Sequence, residues 1–269
     1  MEVNKDMKEK VLLAFSGGLD TSFCAMYLAQ EKGYEVHTAV ANTGGFSEQE
    51  LKVIEDKAFR LGAVSHVTLD VTQEYYEKSI KYMVFGNVLR NGTYPISVSS
   101  ERIFQAIAII NYAQEIGAQY VAHGSTGAGN DQVRFDLTFD ILAPNIKILT
   151  PTRDMVLTRE YEINYLKEHG FDADFKKMEY SINKGLWGTS IGGKETLKSE
   201  QTLPEEAYPS QVEKQGEETV TIAFENGEIC AVNGQTNENK VLLINALEAI
   251  ASKYGIGRDM HIGDTIIGI

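Results

Sequence analysis

VLLAFSGGLDTSF, residues 11–23, sets the reading of the whole chain. Val11 to Phe15 is an apolar run with the length and composition of a buried strand. SGGLDTS, Ser16 to Ser22, follows at once, and Gly17 and Gly18 let the backbone turn without a Cβ clash. Phe23, Met26, Tyr27 and Ala29–Gln30 continue as a helix that stops at Gly33, a natural residue to follow a helix. A strand, a glycine turn and a helix start in this order aim backbone N–H groups at one point, an arrangement suited to phosphate oxygens. Ser16, Thr21 and Ser22 add hydroxyl donors. Asp20 does not favour bare phosphate and is read as facing a Mg2+ ion or its waters; the competing reading makes Asp20 or Thr21 a helix cap. The pattern is neither GxxxxGK[ST] nor GxGxxG.

Outward from this loop, strands and helices alternate. EVHTAVA (35–41), VSHVTLDV (64–71), Gln119–Ala122 and Ile146–Leu149 read as further strands. Ser47 with Glu50 forms a capping box ahead of an apolar stripe at Leu51, Ile54, Phe59 and Leu61. Helical stretches are expected around Tyr75 to Met83 and after Ser99–Ser100, the latter pair as cap, with Ile103, Ala106, Ile107, Ile110 and Ala113 on one face. The expected fold is α/β, a parallel-sheet nucleotide-binding domain over residues 1–172 with a second α+β domain over 173–269. Parallel sheets bind ligands at the carboxyl ends of their strands, so the loops at 16–22, 42–47 and 123–132 are expected to meet. Further on, residues 196–217 read as an extended connection. Residues 219–232 read as a hairpin about Glu225-Asn226-Gly227, residues 240–254 as a helix closed by Gly255, and residues 265–269 as a strand.

Composition narrows the function classes. Asp plus Glu number 38 against 25 Lys plus Arg, a net charge of −13, which argues against nucleic acid as a partner. The apolar run at 11–15 is too short for a signal segment or a membrane span, and the only two cysteines, Cys24 and Cys230, form no disulfide framework or CxxC site. A cytoplasmic protein with no membrane partner is expected.

The second motif is HGSTGAGNDQVRF, His123 to Phe135, where three glycines precede Asn130, Asp131 and Arg134 at the start of a helix. SGGLDTS is the signature of the pyrophosphate-loop ATP enzymes. With an HGxTGxGNDQxRF segment in register after it, the chain resembles the argininosuccinate synthase family over nearly its whole length. That resemblance implies an ATP-dependent ligase joining L-citrulline to L-aspartate through citrullyl-AMP, with ATP and Mg2+ as cofactors and a homotetrameric assembly. It implies ATP contacts at Ala14, Phe15, Ser16, Gly17, Gly18, Leu19, Asp20, Thr21, Ser22, Ala41 and Gly124. Aspartate contacts are implied at Thr126, Asn130 and Asp131, and citrulline contacts at Tyr94, Ser99, Asn130, Arg134, Ser181 and Ser190. Asp20, Asp131 and Arg134 take the catalytic roles and Asp20 the metal. Ser99 also reads as a helix cap, Tyr94 as loop packing, Arg102 equally as surface charge or substrate contact, His123 as a packing residue, and Asp70, Asp136 and Asp140 as solvated charges. Ser181 and Ser190 alone would read as loop serines.

Gly263 stands where the family carries a citrulline-binding glutamate after a GxGR segment (here Gly255 to Arg258), with Asp264 beside it. The apolar ending at 265–269 reads as a shortened chain without the family's tetramer-forming tail. The competing functions are another pyrophosphate-loop ligase and a nucleotide-binding module without turnover.

Overall fold

The structure is a computed structural model that describes residues 8–127, 129–173, 180–193 and 195–261. The expected strand at 265–269, Gly263 and Asp264 lie outside the described residues.

Five parallel strands build the first sheet in the order β3-β2-β1-β4-β5: β1 (Lys10–Ala14), β2 (Glu35–Asn42), β3 (Ser65–Asp70), β4 (Tyr120–Ala122) and β5 (Lys147–Leu149). The alternation of the strand side chains explains the two layers that cover it. Val11 and Leu13 point into one core with Phe23 and Met26 of α1 (Leu19–Gln30), Ile54 and Ala58 of α2 (Glu48–Arg60), and Tyr165 and Leu166 of α8 (Arg159–Glu168). Leu12, Ala39 and Val121 point the other way, onto Ile109 and Ile110 of α5 (Ser97–Glu115) and Phe135 and Phe139 of α6 (Asp131–Leu142). Val11, Leu12 and Leu13 are all 0% exposed, and each such side chain contributes about 1.5–3 kcal/mol over its exposed state. This is the covered-on-both-faces parallel sheet that runs of apolar residues at 11–15 and 35–41 call for.

Ser47 and Glu50 do form the reciprocal capping box of α2, with the Ser47 hydroxyl accepting from Glu50 N–H. The start of α5 differs from expectation. Ile96, in the left-handed conformation at φ 55°, precedes the helix, so Ser99 and Ser100 sit inside its first turn. Their hydroxyls donate back to the Ile96 carbonyl instead of capping. The helical stretch after β3 runs as α3 (Thr72–Tyr75), a π-helical segment (Tyr76–Ile80) and α4 (Lys81–Phe85). After β5 come α7 (Pro151–Asp154) and then α8.

The second part holds two smaller sheets. The hairpin β6 (Ser181–Gly185) and β7 (Gly188–Gly192) occupies the stretch read as loop. Its turn residues plug into the first domain: Leu186 N–H donates to the Thr43 carbonyl at 2.8 Å and Trp187 Nε1–H to the Pro95 carbonyl at 2.8 Å. The approach is backbone on backbone, because a Cβ on Gly45 would stand 2.0 Å from the Lys184 carbonyl oxygen. Short 3-10 turns at Glu195–Leu197 and Glu205–Ala207 interrupt the expected extended connection. Then β8 (Ile222–Glu225), β9 (Glu228–Val232) and β10 (Gln235–Thr236) form an antiparallel sheet packed on α9 (Lys240–Ala251). Asn226 and Gly227 both have positive φ, as a two-residue hairpin turn requires, and Gly255 at φ 66° follows the helix end.

Candidate functional site

Because β1 lies between β2 and β4 in a parallel sheet, the loops after these three strands emerge side by side. The contact is direct: a Cβ on Gly124 would lie 3.1 Å from the Thr21 backbone nitrogen and 3.1 Å from the Asp20 carbonyl carbon. A glycine at 124 thus lets the loop after β4 lie on the first turn of α1.

The loop from Phe15 to Gly18 is held by its ends. Phe15 N–H donates to the Ala39 carbonyl at 2.8 Å, and the Ser22 hydroxyl donates to the Gly18 carbonyl at 2.6 Å. Gly17 at φ 73° takes a conformation that other residues rarely adopt. Neither Asp20 nor Thr21 caps α1, since Gly18 occupies the cap position with no side-chain bond to the helix. The first N–H groups of the helix are therefore available to an anion. Ser16 is exposed, and its hydroxyl only weakly engages Gly18 N–H at 3.4 Å. Ala14 and the buried Ala41 stand at the ends of neighbouring strands.

Below the loop lies a group that sequence reading passed over. Glu162 of α8 is 1% exposed, accepts from the Thr152 hydroxyl at 3.0 Å, and feels the charge of Asp20. Burial, reinforced by the Asp20 charge, raises its carboxyl to about 8, so it holds its proton at neutral pH. The pair thus offers a cation the Asp20 carboxylate, with Glu162 neutral beside it. Among the described residues, no group of three or more acidic, histidine or cysteine side chains is placed to hold a metal. This donor set suits Mg2+ borne on phosphate, which takes one or two carboxylates and keeps its waters, and does not suit a cage of protein ligands.

The other half of the candidate site is a chain of polar contacts. Asp131 receives Arg102 Nε at 2.9 Å on one oxygen and Arg134 Nη1 at 2.8 Å on the other. Arg102 also donates to Gln105 Oε1 at 2.6 Å and to Asn183 Oδ1, and Asn183 Nδ2 donates to the Ser190 hydroxyl at 3.4 Å. In the hairpin ladder Asn183 pairs with Ser190 and Ser181 with Gly192, so Ser181, Asn183 and Ser190 share one face. Ser99 stands one turn before Arg102 on α5. Among the described residues Asn130 Oδ1 is buried with no hydrogen-bond partner, an orphaned acceptor of the kind a ligand satisfies. Thr126 is exposed, and the Tyr94 hydroxyl accepts from Val98 N–H at 3.1 Å. The fold therefore joins Asp131, Arg134 and Ser190 through Arg102 and Asn183, the latter not singled out in the sequence, while Ser99 lies a turn from Arg102 and Ser181 shares a strand face with Asn183. Tyr94 connects to this group only through the start of α5.

Three further residues brace the site. Glu101, 1% exposed, accepts from the Thr43 hydroxyl at 2.7 Å and from Gln105 at 2.8 Å, and burial raises its carboxyl despite Arg102. His123 is buried against Phe135, accepts Ser125 N–H on Nδ1, and so donates from Nε2 to Asp136 at 2.7 Å. Both ring nitrogens are engaged, which leaves it a packing residue. Asp136 is not a solvated charge: burial pushes its carboxyl up, but His123 and Arg153, the latter at 2.6 Å, outweigh this and hold it low. Cys24 is buried beside Thr152, and burial pushes its thiol up to about 12, so it stays a protonated packing residue at neutral pH. No helix of the described residues is long and apolar enough to cross a membrane.

The family model for the arginosuccinate synthase N-terminal HUP domain matches residues 10–172, and that for the arginosuccinate synthase C-terminal domain matches residues 180–269. The chain is 41% identical over 266 residues to the argininosuccinate synthase of Methanocaldococcus jannaschii, covering 98% of this chain and 67% of that protein. It is 40% identical over 271 residues to those of Xanthomonas campestris and Xanthomonas axonopodis, covering 96% of this chain and 66% and 64% of theirs. The chain spans about two thirds of the length of these relatives.

Proposed function

The chain belongs to the argininosuccinate synthase family, and from that premise we propose that it ligates L-citrulline to L-aspartate, converting ATP to AMP and pyrophosphate in arginine biosynthesis. The observation that supports this reading is the contact between Gly124 and the first turn of α1, which brings the start of the HGSTGAGNDQVRF segment against the glycine loop. The cradle from Ala14 to Ser22, with Ala41 and Gly124, takes the nucleotide. Thr126, Asn130 and Asp131 take aspartate, and Tyr94, Ser99, Asn130, Arg134, Ser181 and Ser190 take citrulline. The ureido oxygen attacks the α-phosphorus in line and pyrophosphate leaves; the aspartate amine then attacks the activated carbon and AMP leaves. Loop and helix N–H groups stabilise the charge that develops on the phosphates. Mg2+, faced by Asp20, would neutralise the triphosphate. Holding the reactants in line is worth on the order of 7–11 kcal/mol, so no protein nucleophile is needed.

Domains of residues 1–172 and 173–269, a cytoplasmic location and a homotetrameric assembly complete the proposal. ATP–pyrophosphate exchange tests it. Exchange that requires citrulline and disappears in Asp20→Ala is expected, and exchange indifferent to citrulline rejects the substrate assignment.

A further inference from the structure

The nucleotide cradle has a cation whose charge nothing in the described protein answers. Lys57 of α2 is half-buried, and its Nζ donates to the Gly17 carbonyl at 2.6 Å. It forms no ion pair among the described residues, and the groups that act on it are burial and the like charge of Arg60, both of which lower its pKa. In a chain of net charge −13, an ammonium withdrawn from water without a carboxylate is out of character. Placement in the last turn of α2 does not account for it. A lysine there gains from the helix dipole by facing the helix's own terminal carbonyls, whereas Lys57 reaches sideways to the loop after β1. The contact is built in, because Ile54 and Lys57, one turn apart, both close on Gly17. A Cβ at Gly17 would lie 3.3 Å from Ile54 Cγ1 and 3.8 Å from Lys57 Nζ.

An ammonium has three protons to donate and Gly17 takes one. The position of Lys57 in the sheet architecture says which part of an anion meets the other two. Helix α2 covers one face of the sheet; α5 and α6, which carry Ser99, Arg102, Asp131 and Arg134, cover the other. An ATP laid across the loop between them, with its α-phosphate toward the amino-acid side, directs its outer phosphates toward α2. We propose that Lys57 is a phosphate-binding residue of this nucleotide site, its ammonium gripping the β- and γ-phosphates and holding them as they depart as pyrophosphate. The inference rests on the ATP-dependent reading above and extends it to a residue outside the glycine loop.

Calorimetric titration of the whole protein with ATP, inorganic pyrophosphate and AMP, each with Mg2+, tests it. Lys57→Met and Lys57→Gln remove the charge, and the glutamine retains an N–H donor for Gly17. In both, affinity for ATP and for pyrophosphate should fall about tenfold to a hundredfold while AMP affinity stays within about twofold, and Lys57→Arg should keep most of the wild-type affinity. Equal losses for AMP and ATP would mean that Lys57 only supports the loop, and unchanged ATP and pyrophosphate binding in both charge-removing variants would overturn the proposal outright. Failure of the wild type to bind ATP would instead strike the ATP-dependent reading itself, and this inference with it.

Discussion

Substituting Gly45 by alanine tests how the second part of the chain is fixed over the nucleotide domain. The added methyl carbon would lie 2.0 Å from the Lys184 carbonyl oxygen, 2.3 Å from its carbon and 2.8 Å from the Gly185 nitrogen. All three are backbone atoms, so no rotamer relieves the clash, and ordinary contact requires the hairpin to retreat by about 1 Å or more. Such a retreat pulls on the Leu186–Thr43 and Trp187–Pro95 hydrogen bonds and on the Arg102–Asn183 contact. Overpacking costs about 1–3 kcal/mol and each of the three strained bonds about 1 kcal/mol, so a loss of roughly 4–6 kcal/mol is expected. Function should suffer unevenly. The hairpin face carrying Ser181 and Ser190 moves while the loop after β1 does not, and a displacement of about 1 Å can cost on the order of a hundredfold in rate. Thermal unfolding with citrulline-dependent exchange measures both effects: a lowered melting temperature, a raised citrulline requirement and unchanged ATP binding. Gly192→Ala is the internal control, since its Cβ meets nothing closer than 4.0 Å. A Gly45→Ala protein with wild-type stability and citrulline dependence would refute the docking argument.

Glu162→Gln should change how stability depends on pH. The carboxyl is raised to about 8 in the fold, against 4.5 when unfolded, so between these values the unfolded chain releases a proton that the folded chain keeps. Wild-type stability therefore falls as pH rises through that window, by up to about 1.4 kcal/mol per pH unit. The glutamine keeps an acceptor for Thr152 without this penalty. Denaturant melts of nucleotide-free, metal-free protein should show the variant gaining on the wild type from pH 5 to 8, and parallel curves would contradict it. Cys24, buried with its thiol pushed up to about 12, should resist a thiol reagent in the native state while the half-buried Cys230 reacts. Mass mapping of the labelled cysteine decides the point, and labelling of Cys24 at the rate of Cys230 would count against the structure.

The first domain was legible because its strands are unbroken apolar runs and its binding loops are glycine-rich, two signals that survive without tertiary context. The β6–β7 hairpin was not, since Ser181-Ile182-Asn183-Lys184-Gly185 has no apolar alternation and is held as a strand by glycine contacts with a distant loop. Ser99 looked like a cap because nothing in the sequence reveals that Ile96 adopts a left-handed conformation. Lys57 reads as one more surface lysine on an amphipathic helix, and only the packing of Ile54 on Gly17 draws it inward. Glu162 did carry a signal: Tyr165 and Leu166, three and four positions on, place it on the buried stripe of α8, where an acid is anomalous.

The central strand of the sheet is the first one made. Lys10 finds one neighbour at Glu35, but its other, at Gln119, lies 109 residues downstream. At about 5–20 residues per second, a ribosome needs on the order of 5–20 s to deliver that second neighbour. During this interval the fully buried apolar strand β1 has an open edge, and the loop after it lacks the glycine that closes it from the β4 side. Nascent chains stalled before residue 119 should consequently be more prone to aggregate and more dependent on chaperones than chains stalled after residue 149.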